Sequence, residues 1–222
     1  MKYYKVDRIF IDKKFNKGIS NANGIQVPNG KAYFDRMGAG EIITDTPVFD
    51  YFFLESYGDK KDWEWRLQDV HSFIGTGSII TGWYISDAFK TLLEQFCIAP
   101  QTHFYETRLL YKGEKLKYWI FQKQFQRSKY IDFSKSKFGL ENETTLYSFD
   151  NEGEYQKSYR KEYNETDRKY ITIKQVINSY YDLFKTTAND IVITETLKNA
   201  IESKGLEGFE FSELDYEVIV NE

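Results

Sequence analysis

The chain has 222 residues, among them 18 Phe, 18 Tyr and 4 Trp, and only 3 Pro. One Cys and two His exclude a disulfide scaffold, a Cys-rich zinc cluster and an iron–sulfur centre. The formal charge of -4 argues against a dedicated nucleic-acid binder, and the aromatic, proline-poor composition suits many strands around a packed core.

Residues 3–11 read as a first strand, because β-branched and aromatic residues lie between charges. Their charged start, Met1-Lys2-Tyr3-Tyr4-Lys5, is no secretory signal. Asn21-Ala22-Asn23-Gly24 and Pro28-Asn29-Gly30 are turn signals. Residues 32–35 and 42–55 read as extended, with Pro47 marking an edge or a break. Residues 58–66 read as an exposed loop leading into a strand. Asp59, Asp62 and Glu64 alternate there with Lys60, Lys61 and Arg66, so the carboxylates do not gather as a calcium loop requires. If this stretch is extended, Trp63 and Trp65 share a face. Core packing is one use for such a pair; an aromatic anchor at a protein interface is the other.

Residues 70–86 carry no formal charge, but Gly75, Gly77 and Gly82 and several hydroxyls make them too polar to span a bilayer. A cytoplasmic protein with no membrane partner is expected. Gly75-Thr76-Gly77-Ser78 lacks the further Gly or the Gly-Lys-Ser/Thr that a phosphate loop needs, and reads as a plain turn. Residues 78–85 predict a buried strand. Ser86 then caps a helix whose apolar face is Phe89, Leu92, Leu93 and Phe96, and Pro100 ends any continuation. Cys97 falls near that helix end and reads as a buried, inert thiol. Neither His71 nor His103 has a partner at a catalytic or metal-binding spacing, so no catalytic residue, cofactor or metal is expected.

Residues 104–111 and 116–125 predict a hairpin around Lys112-Gly113-Glu114. The basic stretch 112–137 has a net charge of +6 and includes Tyr118, Trp119, Phe121, Phe125 and Tyr130. Strand alternation places those aromatics in the core, so a solvated strand face is expected rather than nucleic-acid binding. Residues 127–167 are polar, with an extended piece at 145–149 and a turn at Asn151-Glu152-Gly153. Thr172 predicts a capped helix to about Phe184, with Val176, Ile177, Tyr180 and Phe184 on one face. Residues 190–193 predict a strand, and Thr194 caps a helix carrying Leu197, Ala200 and Ile201. Gly205 stands where a left-handed C-terminal residue belongs, and residues 209–220 form a last strand region.

This last unit echoes the one at Ser86 at a constant offset of 108 residues: Ile85-Ser86, Phe89-Lys90 and Leu92-Leu93-Glu94 match Ile193-Thr194, Leu197-Lys198 and Ala200-Ile201-Glu202. Both read as strand, cap, helix, turn, strand. A duplication or a convergence on one local plan accounts for the match. The fold class that follows is α+β: mixed, mainly antiparallel sheets with a few short packed helices, in one domain with possible lobes at about 1–126 and 127–222.

The run Ile193-Thr194-Glu195-Thr196-Leu197-Lys198-Asn199-Ala200-Ile201-Glu202, closed by Gly205-Leu206-Glu207-Gly208-Phe209, resembles the C-terminal element of a family of bacterial polymorphic-toxin immunity proteins. The resemblance covers roughly 30 residues and marks a fold rather than a reaction. It implies a non-enzymatic protein that binds and neutralises a cognate toxin domain by stoichiometric contact. Residues 190–222 have a net charge of -7, which suits a cationic toxin such as a nuclease. Trp63 and Trp65, with Glu207, Glu210, Glu213 and Glu217, are the candidate interface. A small-ligand or protein-binding module is the alternative, and an uncharacterised enzyme stands behind both.

Overall fold

The computed structural model describes residues 1–221. The chain begins with β1 (Tyr3–Arg8), a ribbon of β2 (Ile11–Asp12) and β3 (Lys17–Gly18), and β4 (Asn21–Asn23). Then come α1 (Gly30–Gly38), β5 (Phe49–Glu55), β6 (Val70–His71), β7 (Gly82–Ser86), α2 (Asp87–Leu93), β8 (Thr102–Tyr111) and β9 (Glu114–Lys123). The remainder is β10 (Lys137–Leu140), β11 (Leu146–Tyr147), α3 (Glu152–Thr166), β12 (Tyr170–Ile177), β13 (Leu183–Lys185), β14 (Ile191–Thr194), α4 (Glu195–Ser203), β15 (Phe209–Glu213) and β16 (Glu217–Val220). The fold is α+β, and its sheets are mainly antiparallel. One sheet has six strands in the order β4-β5-β8-β9-β7-β6, and two have four, ordered β13-β14-β1-β15 and β11-β10-β12-β16. Parallel pairs occur at β5–β8 and β12–β16.

The six-stranded sheet is a wall between two cores. Tyr84, Tyr105, Tyr118 and Ile120 pack from one face against Phe34 and Met37 of α1. Trp83, Ile85 and Phe121 pack from the other against β1, β14, α2 and α4. This larger core draws on residues from both sides of position 126, so its packing ties the two expected lobes together.

The echo in the sequence is an echo in space, and it extends further than the matched residues. The strands β8-β9-β7-β6 with α2 form one unit, and β15-β1-β14-β13 with α4 form a second of the same topology and strand directions. Ser86 (φ -67, ψ 159) accepts from Phe89 N–H at 3.1 Å, and Thr194 (φ -67, ψ 156) from Leu197 N–H at 3.3 Å. Lys90 lies 4.5 Å from the Trp119 ring centre and pairs with Glu94; Lys198 lies 5.3 Å from that of Tyr4 and pairs with Glu202. Even the acid in each first helical turn is matched: Trp119 donates to Asp87 at 2.8 Å, and Tyr4 to Glu195 at 3.2 Å. The indole hydrogen bond holds the Asp87 carboxyl below its ordinary pKa.

The two units are latched crosswise. Asp69 accepts from Ser86 Oγ at 2.6 Å, beside the α2 cap, and from Glu207 N–H at 2.8 Å in the loop that follows α4. Asp182 accepts from Thr194 Oγ1 at 2.7 Å, beside the α4 cap, and from Cys97 N–H at 2.9 Å in the loop that follows α2. Each helix therefore has its exit loop fastened to the other helix's entry.

Lys123 follows Tyr118 on β9 at the spacing at which Arg8 follows Tyr3 on β1, and the two cations enter the seam between the units. Lys123 is 7% exposed, with its ammonium nitrogen 3.2 Å from the Trp83 ring centre. No carboxylate bonds Lys123 or Arg8 among the described residues. Burial, with Arg8 and Lys185 nearby, pushes Lys123 well below the usual lysine range.

Several local expectations are corrected. Residues 32–35 lie inside α1, where Phe34 and Met37 are buried one turn apart; a window of four residues is too short to reveal that spacing. The extended run 42–55 is a strand only from Phe49, beyond Pro47. The helix expected from Thr172 is β12 followed by β13. Its apparent helical stripe joins the end of one strand to the start of the next. Asn151, read as a turn, is the N-cap of α3, whose Tyr155, Tyr159 and Tyr163 recur every four residues amid charge. Residues 209–220 form two strands in different sheets. Cys97 is exposed, because α2 ends at Leu93.

Candidate protein-interaction surface

The β2–β3 ribbon is held by its own turn. Asp12 accepts from Lys14 N–H at 2.9 Å and Phe15 N–H at 3.1 Å, and binds the guanidinium of Arg66. Arg66 also reaches Glu207 at 3.1 Å, and Lys13 reaches Glu210 at 2.9 Å. Trp65 donates to Gly18 O at 2.9 Å and meets the Phe15 ring edge-on at 5.8 Å. The ribbon, the tryptophan loop and the segment leading into β15 thus form one continuous surface.

Trp63 and Trp65 do not share a strand face. Their segment is a 3-10 turn and loop, and Trp63 stacks instead on Phe53 of β5 with ring centres 6.0 Å apart. Both rings are half-buried. Phe10, Ile11 and Phe15 are 62%, 55% and 58% exposed, so the ribbon rather than the tryptophan pair presents the open apolar area. Phe10 and Ile11 fall at the end of the expected first strand and Phe15 lies beyond it, and Asn16 and Gly18 are the turn signal that marks the ribbon.

Glu207, Glu210 and Glu213 lie along the run into and through β15, and all are exposed, but strand alternation turns Glu210 to one face and Glu213 to the other, the side of Tyr4 and α4. Glu213 pairs with Lys2 at 2.6 Å, and the ammonium's hydrogen bond holds its carboxyl below the ordinary value. Glu217 is not part of this run, since it lies on β16 in another sheet. β15 is an edge strand. Its hydrogen-bonding pattern is fixed by Ile9 N–H donating to Gly208 O at 2.9 Å. That bond makes Asp7–Glu210 and Lys5–Ser212 the bonded pairs, so Phe209, Phe211 and Glu213 point their backbone groups away from β1. No described residue bonds those outward groups.

The loop before β15 follows from its glycines. Gly205 N–H donates to Glu202 O at 3.0 Å and Leu206 N–H to Ile201 O at 3.2 Å, which is a Schellman ending with Gly205 at φ +63. Gly208 has φ +102, and a Cβ there would stand 2.6 Å from Gln68 Oε1. Both glycines of the Gly-Leu-Glu-Gly-Phe turn are thereby accounted for.

A separate cleft of about 470 Å³ lies between α3, β12 and the turn at 187–190. Thr172 and Thr187 share a hydrogen bond of 2.8 Å on its wall, and Tyr216 donates to Asp190 at 3.0 Å. Its size lies in the range of small-molecule pockets, and its lining is largely polar, with Arg127, Arg160, Lys169 and Asp190. His71 opens onto neither place, being 1% exposed. Its Nδ1–H donates to Ser20 O at 2.8 Å and its Nε2 accepts from Gln68 N–H at 3.2 Å, and burial pushes its pKa down to about 4. It is a structural tie.

Among the described residues no three His, Cys, Asp or Glu side chains converge on a possible metal position. No described helix is long and apolar enough to cross a membrane. No protein family and no curated protein matches the sequence.

Proposed function

We propose that the protein is an immunity protein that binds a cognate bacterial toxin domain stoichiometrically and neutralises it. The observation that carries this reading is the C-terminal element. Its helix, capped at Thr194 and closed at Gly205, delivers β15 to a sheet edge where Glu207 and Glu210 stand near exposed Phe10, Ile11 and Phe15, with Glu213 at the far end of the strand. Aromatic and aliphatic anchors within a charged rim have the anatomy of a binding surface. These carboxylates suit a toxin whose own site is built for phosphates, and would steer its approach. The resemblance of residues 193–211 to immunity proteins supports the same conclusion.

The test is co-expression with the toxin domain encoded beside the gene. Growth should be rescued in proportion to the amount of one-to-one complex recovered. A wild-type protein that neither binds nor protects removes the reading. The cleft beside α3 favours a second reading, a small-ligand-binding module. Saturable binding of a small polar molecule there, without any toxin complex, would put that reading first.

A further inference from the structure

The two units differ at one place that bears on binding. In the first, the far half of β8 is covered by β5, which runs parallel to it with Phe49 opposite Thr107 and Phe52 opposite Leu109, beyond Thr102–Glu106, the part that answers to β15. In the second, the strand stops where that cover would begin, and no described strand pairs with the outer edge of β15. We propose that the outer edge of β15 is a docking site for an extended segment of the partner protein, with alternating apolar and basic residues, laid parallel to β15 as β5 is laid along β8. This rests on the immunity reading for the identity of the partner and names the chemistry of its contact.

Three observations carry it. First, Phe209, Phe211 and Glu213 turn their N–H and C=O groups outward with no partner among the described residues, so a ladder of main-chain bonds is available. Second, β15 has no Pro, no Lys and no bulge in its pairing with β1, and the charges it does carry, Glu210 and Glu213, repel acidic strands rather than basic ones. Third, the two faces of the edge differ. Phe209 and Phe211 stack 6.1 Å apart on the side of α2 and α4, which suits apolar residues of an added strand. Glu210 faces the other way, Glu207 and Glu213 stand at the two ends of the strand, and residues 205–213 hold no Lys or Arg, which suits basic residues. The cations that meet these acids, Lys2, Lys13 and Arg66, do so in exposed pairs of small energy that a competing cation can replace. A second copy of this chain is the poorer occupant, because its acidic strand would lie against its own like charge.

The probe is an N-acetylated heptapeptide alternating lysine and valine, titrated into the isotope-labelled protein and followed by NMR. Saturable shifts should be confined to 209–213 and their neighbours, and the amides of Phe209, Phe211 and Glu213 should exchange more slowly with peptide present. An otherwise identical glutamate–valine peptide should leave both unchanged. Glu213→Pro removes an outward donor while sparing the bonds to β1, and should weaken binding about tenfold or more with the thermal midpoint retained. Glu213→Gln keeps the backbone and should weaken it only about two- to threefold, by loss of charge. Shifts scattered over the surface, unaltered exchange at the three amides, or equal binding of the acidic peptide would each overturn the proposal. The adjacent toxin domain separates the two claims. If it binds and protects other amides while leaving 209–213 open, the edge proposal falls and immunity stands; if the peptide docks and the toxin domain does not bind, the reverse holds.

Discussion

The unit built from β6, β7, α2, β8 and β9 and the unit built from β13, β14, α4, β15 and β1 agree inside and differ outside. Inside, cap, helix lysine, i,i+4 glutamate and first-turn acid are matched one for one. Outside, β8 runs for 10 residues and its far half gains the cover of β5 from Thr107 on, whereas β15 runs for 5 and stops before that point, without cover. The agreement lies where side chains must fix a short helix on a sheet, since such helices are marginal alone. The difference lies where the sheet meets its surroundings, and there one unit closes itself while the other stays open.

The sharpest way to break this comparison is through the crosswise latches. Asp182 is 5% exposed, and Thr194, Cys97 and Tyr180 all donate to it. Asp182→Ala strands those donors and should cost about 4 kcal/mol in urea unfolding, against about 2 kcal/mol for the more exposed Asp69→Ala. Equal costs would mean that the latches are not loaded differently; a negligible cost at both would dissolve the matching altogether.

The seam offers a pH test. Lys123 is depressed in the fold and ordinary when unfolded, so the unfolded chain binds more protons between the depressed value and about 10.5. Stability should therefore rise with pH on the approach to about 10, by up to roughly 1.4 kcal/mol per unit. Above that the buried Tyr3, Tyr84 and Tyr118, all raised, reverse the slope as their unfolded counterparts ionise. Lys123→Met should flatten the alkaline rise. His71 acts separately, its stabilisation being lost as pH falls from about 6.5 toward about 4. A flat wild-type profile on the approach to about pH 10 would show that Lys123 keeps its proton.

The smallest expected effect sharpens the comparison at the helix ends. α4 closes on Gly205 with φ +63 and open space around the missing Cβ, so Gly205→Ala should cost about 1 kcal/mol in thermal or urea unfolding, from the backbone alone. α2 ends on 3-10 bonds from Gln95 to Leu92 and from Phe96 to Leu93, with no left-handed residue. Ala at Gln95 should be nearly neutral in the same measurement, within about 0.5 kcal/mol.

The caps, both helices of the repeat and the hairpin were legible because each rests on neighbours in sequence: Ser86 with Phe89, Thr194 with Leu197, Lys112 beside Gly113. The matching of β1 with β9 was not. Tyr3, Tyr4 and Arg8 answer to Tyr118, Trp119 and Lys123, but they stand at the opposite end of the order, ahead of the helix they serve. α3 was hidden by charge, since only Tyr155 of its aromatic stripe is deeply buried. Of the candidate surface, the acids of β15 could be named from composition alone, whereas Arg66, which joins Asp12 to Glu207, has no local signature because both partners are distant in the chain.

The place of β1 also governs how the molecule can assemble. β8 meets β9 through a two-residue turn, so the first unit closes a short loop at small entropic cost. β1 meets β14 with Tyr3 opposite Thr194, and the second unit must close a loop spanning most of the chain before any of its central contacts form. The first unit is thus the natural nucleus, and the second is finished late, when β1 slots between β14 and β15. Until then three strands share one empty position, and the strand that fills it sets the pace of folding.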